Sequence, residues 1–331
     1  MTESTAPATT PVGDPRDEFS FLPGQAGRFG VALPPTVRLT LTGERALSAV
    51  RFGEGRPRVV LLHGAGLNAH TWDNTALVLG RPVLALDLPG HGDSGWREDA
   101  DYRPRTLAAD VVRAIESWAE APAVLVGHSL GGLTAAAVAA ARPDLVAALI
   151  LVDITPGAAG GSGSAELRRF YEVTDFPSRE AVVEHATAFG LGGSPEDSRR
   201  GVFHNTRVRE DGRVEWKHHF ARLAQQALPD GAGRAAAPVV DDSAWADLSA
   251  VEAPVTLVRG TRGFVDDAAA ADFSARLPEA GVATIDAPHN IQEVAPAELA
   301  ARIASVLQTL PTDPNSADAD TAAADPKAET R

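Results

Sequence analysis

Ser129 stands in Gly127-His128-Ser129-Leu130-Gly131, between the apolar run Ala123–Val126 and a long Ala-rich stretch. The run predicts a buried strand, and the stretch a helix ending near Arg142-Pro143. A serine at such a turn sits in strained backbone, and glycine at 127 and 131 admits neighbours where a Cβ would collide. The turn pushes the hydroxyl out at the end of the sheet, beside the unpaired N–H groups of the first helical turn. An alcohol is a weak nucleophile at neutral pH and needs a base. His289 is the candidate: it follows the last apolar run, in Ala287-Pro288-His289-Asn290, ahead of a closing helical pattern. Its plainer reading is a cap on that helix. A third group, usually a buried carboxylate, must orient the imidazole. A tetrahedral oxyanion also needs two N–H donors. Leu130, next after the serine, supplies one, and Ala65, in the loop His63-Gly64-Ala65-Gly66, is placed to supply the other.

These residues need a scaffold that gathers distant strand ends. Val37–Leu41 and Ala46–Phe52 alternate around Thr42-Gly43-Glu44 and predict a hairpin of two amphipathic strands. Compact apolar runs at Arg58–His63, Val83–Asp87, Val124–Val126, Ala147–Val152, Pro254–Arg259 and Ala283–Asp286 suit strands buried on both faces. Segments of helical spacing, such as Leu107–Trp118, lie between them. Strands alternating with helices predict a mostly parallel sheet with helices on both faces. The alternation stops from Thr155 to about Ser249, where helical pieces (Glu166–Tyr171, Arg179–Phe189) flank an Asp211-Gly212 hairpin. That segment reads as a cap inserted over the carboxyl ends of the strands, where open α/β sheets bind ligands. The expected organisation is a disordered tail over 1–30, a core from 31–154 and 250–311, a cap over 155–249, and an acidic tail over 312–331.

The remaining polar residues have plainer readings. Asp87 and Asp93 form turns in Asp87-Leu88-Pro89-Gly90-His91-Gly92-Asp93-Ser94. His63 shapes its own loop, and the His128 side chain points away from that of Ser129 and packs. Phe170, Tyr171, Phe203 and Trp216 suit the cap's own core. His185, His204, His218 and His219 argue against a metal site in the cap, because adjacent histidines diverge on helix or strand.

A net charge of −14 argues against a nucleic-acid or anionic-membrane surface. With no cysteine there is no disulfide framework, thiolate chemistry or Cys-ligated metal. No apolar run approaches the ~20 residues that span a bilayer. Met1–Pro15 has no basic region followed by an apolar one, so the expected location is the cytoplasm. The expected partner is a small-molecule substrate, with no metal and no cofactor.

Taken in order, His63-Gly64-Ala65-Gly66, Asp87–Ser94, Gly127–Gly132 and the late His289 resemble the α/β-hydrolase superfamily over about residues 36–310. The likeness is to its capped group, related to esterases, haloalkane dehalogenases and epoxide hydrolases. It implies an α/β-hydrolase fold with an inserted cap and a serine hydrolase acting on a small or medium apolar ester or thioester. Dehalogenases and epoxide hydrolases carry aspartate where Ser129 stands, which makes their reactions unlike this one. Most relatives place the acid after the strand matching Val255–Arg259, in Gly-x-x-Asp. Here that stretch reads Gly260-Thr261-Arg262-Gly263, and Asp266 follows at the start of a helix, where an N-cap explains it. Some relatives carry the acid one strand earlier, and this chain has Asp153 there. The expected acid is therefore Asp153, with Asp266 the alternative, set against a plainer role for Asp153 in binding strand-end N–H groups. Carbon–carbon bond hydrolysis, cofactor-free oxygen or peroxide chemistry, and ligand binding without turnover remain open on the same scaffold.

Overall fold

The computed structural model describes residues 17–158, 169–189, 194–226 and 243–311. In chain order its strands are β1 (Thr36–Leu41), β2 (Leu47–Phe52), β3 (Val59–Leu62), β4 (Val83–Asp87), β5 (Ala123–His128), β6 (Val146–Val152), β7 (Asp175–Phe176), β8 (Thr206–Val208), β9 (Val214–Trp216), β10 (Val255–Arg262) and β11 (Gly281–Pro288). Eight of them form one sheet in the order β1-β2-β4-β3-β5-β6-β10-β11. The β1/β2 and β2/β4 pairs are antiparallel and the others parallel, so the sheet is mostly parallel as the sequence predicts. The helices are α1 (Leu22–Phe29), α2 (Asp73–Leu79), α3 (Pro104–Trp118), α4 (Leu130–Ala141), α5 (Arg179–Ala188), α6 (Pro195–Asn205), α7 (His219–Gln226), α8 (Ser243–Ser249), α9 (Asp267–Arg276), α10 (Ile291–Val294) and α11 (Pro296–Thr309). Among the described residues, none is long and apolar enough to cross a membrane.

Side chains alternate across a strand, so each buried strand feeds two cores. Val60 and Leu62 of β3 join Leu107, Val111 and Leu133 on one face. Val59 and Leu61 join Trp72, Leu77 and Leu299 on the other. Helix α4 is apolar all round and buried accordingly, from Leu130 through Ala139. A Cβ on Gly127 would overlap the Gly131 carbonyl, and one on Gly131 the Leu62 carbonyl, so glycine at both positions lets α4 seat directly on the sheet.

Three sequence expectations are corrected here. Residues 17–30 are not a disordered tail: α1 buries Leu22 and Ala26 against the second core, and Glu18 pairs with Arg38 at 2.6 Å. Tertiary packing of its apolar face stabilises this helix of only two turns. The remaining tail residues, 1–16 and 312–331, lie outside the described residues. Strand β2 is buried almost throughout, because it is an interior strand between β1 and β4 with a core on each face. Helix α8 was expected inside the cap but belongs to the main core: Ala244 and Leu248 join its first cluster, and Asp247 pairs with Arg105 at 2.8 Å.

The segment between β6 and α8 has its own small sheet, β7-β9-β8, and its own cluster of Phe170, Tyr171, Phe176, Val182, Val202 and Trp216. Its Asp211-Gly212 turn closes the predicted hairpin, with Gly212 at φ +80°. Part of the expected helix Glu166–Tyr171 falls outside the described residues. The segment rests on the loops that follow β3 and β4. Asn205 accepts from Asn68 at 2.7 Å, the His219 N–H donates to the Gly90 carbonyl at 2.8 Å, and Lys217 pairs with Asp93 at 2.9 Å.

Candidate active site

Ser129 occupies the tight turn between β5 and α4 at φ 51°, ψ −119°, a region that side-chain-bearing residues rarely adopt. Asp153, one residue past β6, shares this feature at φ 50°. The two turns are neighbours by register: His128 pairs with Val152, and the Ser129 N–H donates to the Val152 carbonyl at 3.2 Å. Among the described residues, strained non-glycine backbone of this kind occurs at these two positions and at Ala100.

Asp153 is fully buried, and three donors converge on its carboxylate. The Gly260 N–H reaches Oδ1 at 3.0 Å, the Phe264 N–H reaches Oδ2 at 2.6 Å, and His289 Nδ1 reaches Oδ2 at 2.7 Å. Burial alone would raise its pKa. The bonds from His289, Gly260 and Phe264 outweigh burial and hold it below the usual carboxylate value. An ionised carboxylate only accepts, so His289 Nδ1 is the donor in this bond. Neither Nε2 nor the Ser129 hydroxyl makes a side-chain hydrogen bond among the described residues. Such contacts often tighten only once substrate is bound.

The two candidate acids lie in different surroundings. Asp266 is exposed and caps α9, accepting from the Ala269 N–H at 2.8 Å. A Cβ on Gly263, the position where most relatives carry the acid, would overlap both carboxylate oxygens of Asp153. The Asp153 carboxylate occupies the place where any side chain at 263 would begin.

The loop at Ala65 closes against the serine. A Cβ on Gly64 would meet His128 Nδ1 at 2.6 Å and Ser129 Cβ at 3.2 Å, so only glycine permits this approach. His63 fixes the loop: its Nδ1–H donates to the Gly64 carbonyl at 2.7 Å, and Nε2 accepts from the Leu88 N–H at 2.9 Å. Burial holds His63 neutral, with its pKa lowered to about 4. No acceptor among the described residues engages the N–H of Ala65 or of Leu130. Asp87 is buried and organises its turn, accepting from the Ala69 and Asp93 N–H groups and from Arg38. His128 packs, with its Nε2–H donating to the His289 carbonyl at 3.1 Å.

Sequence reasoning missed Phe264, whose ring stacks on His289 with centroids 3.6 Å apart and planes 12° apart. The one available signal was its place directly after Gly263. Tyr171 sits in the small cluster as expected, yet its hydroxyl lies against Gly66, 2.6 Å from where a Cβ would stand.

A second histidine–aspartate cluster lies beside helix α6. His70, Asp73 and His204 hold possible ligand atoms within 4.8 Å of one another. The imidazoles of His70 and His204 stack at 3.7 Å and 17°, so their in-plane lone pairs run side by side and do not meet at one point. Arg38 Nη2 also lies 3.0 Å from His70 Nε2, and Arg200 lies 3.9 Å from Asp73. The cluster fits an ion network better than a metal site. A nearby cavity of about 430 Å³, lined by Glu18, Arg38, Asp93, His204 and Lys217, is charged and does not include Ser129.

A serine on a strand–turn–helix junction, with a histidine–aspartate pair beside it at strand ends, defines a hydrolase-type α/β architecture. Over residues 57–296 the chain matches the family described as alpha/beta hydrolase fold, and it belongs to that family. It is 38% identical over 311 residues to Esterase Rv0045c of Mycobacterium tuberculosis (strain ATCC 25618 / H37Rv), spanning 88% of this chain and 96% of that one. It is 30% identical over 271 residues to Lipase LipV of the same organism, spanning 79% and 97%. A solved structure of the M. tuberculosis esterase Rv0045c matches with a TM-score of 0.75 at 38% identity, covering 89% of this chain and all of that one. The protein is an α/β-hydrolase enzyme of the esterase type.

Proposed function

We propose that the protein cleaves a small or medium apolar carboxylic ester or thioester through an acyl-enzyme on Ser129. The observation that carries this reading is the 2.7 Å bond from His289 Nδ1 to buried Asp153, with the His289 ring packed on His128, the neighbour of the strained Ser129. His289 Nε2 takes the Ser129 proton as Oγ attacks the acyl carbon. The N–H groups of Leu130 and Ala65 receive the oxyanion, and Asp153 stays ionised and orients the imidazolium. His289 then returns the proton to the leaving alcohol or thiol. Water repeats the sequence on the acyl-enzyme and releases the acid. Each role is filled by a residue of this chain, so the cycle needs no metal or cofactor. Similarity to proteins named as esterase, lipase and methylesterase supports an ester as the substrate class. The segment between β6 and α8 is the cap that roofs the acyl group, with Tyr171 above the Ala65 loop.

The test is a panel of 4-nitrophenyl esters of rising acyl length on wild type and Ser129→Ala, with fluorophosphonate labelling of both. Turnover and labelling are expected in the wild type and not in Ser129→Ala. An Ser129→Ala protein that keeps wild-type turnover refutes the mechanism.

A further inference from the structure

We propose that Phe264 is a positioning residue for His289, fixing the plane of the imidazole and stabilising it as it takes up a proton. The proposal rests on the reading of His289 as the general base. Phe264 is 45% exposed, a position that burial does not account for in so large an apolar side chain. Its contacts account for it. The ring lies flat on His289, and the backbone N–H donates to Asp153 Oδ2, the same oxygen that accepts from His289 Nδ1. One residue therefore touches both the base and its acid.

The bond at Nδ1 fixes one edge of the imidazole but leaves the ring free to rock about that contact. His128 packs against it at a tilt, with ring centroids 4.4 Å apart and planes at 49°. Phe264 is the parallel partner, its ring covering a face of the imidazole. The stack also acts on the reaction itself. A general base gains a proton on the way to the transition state, and the face of an aromatic ring attracts the cation so formed. An attraction that appears only in the transition state raises kcat and leaves KM alone. Gly263 and Phe264 occupy the stretch where most relatives carry the acid. In this chain that stretch supplies clearance for the Asp153 carboxylate, an N–H for it, and a wall for the histidine.

The experiment compares wild type, Phe264→Leu and Phe264→Trp on 4-nitrophenyl butyrate, with His289→Ala as the inactive reference. Leucine keeps apolar bulk without a π face, and tryptophan keeps the π face. Phe264→Leu is expected to lower kcat about tenfold with KM within about twofold, and Phe264→Trp to recover most of that loss. Because the side chain is half in solvent, Tm should stay within about 2 °C of wild type for both. Proton NMR supplies a readout independent of turnover: the ring protons of His289 should move downfield in Phe264→Leu as the stacked ring current is lost. Equal kcat in wild type and Phe264→Leu, or a loss confined to KM, overturns the positioning role alone. A wild type that neither turns over esters nor reacts with a fluorophosphonate overturns the general-base reading, and the positioning role with it.

Discussion

Among the described residues two histidines touch an aspartate through Nδ1, and their second nitrogens meet opposite fates. His289 bonds Asp153 at 2.7 Å, and no side chain among the described residues engages its Nε2. His70 lies 3.1 Å from Asp73, but Arg38 stands 3.0 Å and Glu18 3.4 Å from its Nε2, and His204 covers its face. A buried carboxylate orients both rings. Of the two, only the first leaves its other nitrogen without a side-chain partner among the described residues. The second is one node of an ion network that joins the N-terminal segment, the β1–β2 hairpin and helix α6. A histidine–aspartate contact therefore does not define a base. The environment of the other nitrogen does.

The largest effect that would break this contrast comes from neutralising each acid in turn. Asp153→Asn should lower kcat by roughly 10³–10⁴-fold, because asparagine can neither hold the right tautomer nor stabilise the imidazolium. Asp73→Asn should leave kcat within about threefold while costing about 3 kcal/mol of stability, since it leaves buried Arg200 and His70 with less compensating charge. Steady-state ester hydrolysis and urea unfolding on the same preparations would check both. Equal losses of turnover would erase the distinction.

The contrast also sets how stability depends on pH. Burial lowers His63 to about 4 and His91 to about 3, so both stay neutral in the fold, whereas the unfolded chain protonates them below about 6.5. Stability is therefore lost as pH falls from 6.5 toward 4, by about 3 kcal/mol from His63 alone. Burial also acts to lower His70, but the Asp73 and Glu18 carboxylates outweigh it and raise the group to about 8. Its contribution is full below 6.5 and fades as pH rises through 8, by about 2 kcal/mol. Urea midpoints at pH 5, 6.5 and 8.5 should peak at the middle value. His70→Gln should flatten the alkaline limb and spare the acid one, and a midpoint constant across the range would contradict both assignments.

A smaller effect tests why the acid sits where it does. In Gly263→Ala the added methyl would overlap the Asp153 carboxylate, displacing it from His289. Turnover should fall about 100-fold, the scale of an ångström's misplacement in a catalytic group. A fully active Gly263→Ala would mean that the carboxylate can shift without consequence.

What could be read in the sequence follows from how local each signal is. Ser129, the glycines around it, the Ala65 loop and His289 announce themselves within a few residues, because a strained turn and a close approach restrict residue type locally. The mostly parallel sheet is legible for the same reason, through runs of apolar residues at strand length. Asp153 required knowledge of where relatives place an acid, since strand-end aspartates are common. Phe264 was invisible because stacking is a contact across 25 positions with no periodic signature. Helices α1 and α8 were misplaced because tertiary packing, which no window of sequence contains, decides what so few residues do. The charges around His70 come from segments as distant as Glu18 and Arg200, and only folding assembles them.

Asp266 gives the smallest effect and the sharpest division between the two candidate acids. Its carboxylate accepts from the Ala269 N–H and satisfies one of the donors left open at the start of α9. Asp266→Ala should cost about 1 kcal/mol of stability, the usual worth of an N-cap. It should leave kcat and KM unchanged within about twofold, because the carboxylate makes no contact with His289 among the described residues. Asp266→Ser, which keeps a capping oxygen but no charge, should restore the stability. A carboxylate needed for proton transfer would instead show its loss in kcat, and serine would not rescue it. Chemical denaturation beside ester turnover thus separates a capping role from a catalytic one at this position. If Asp266→Ala loses orders of magnitude in kcat, the acid has been placed on the wrong strand.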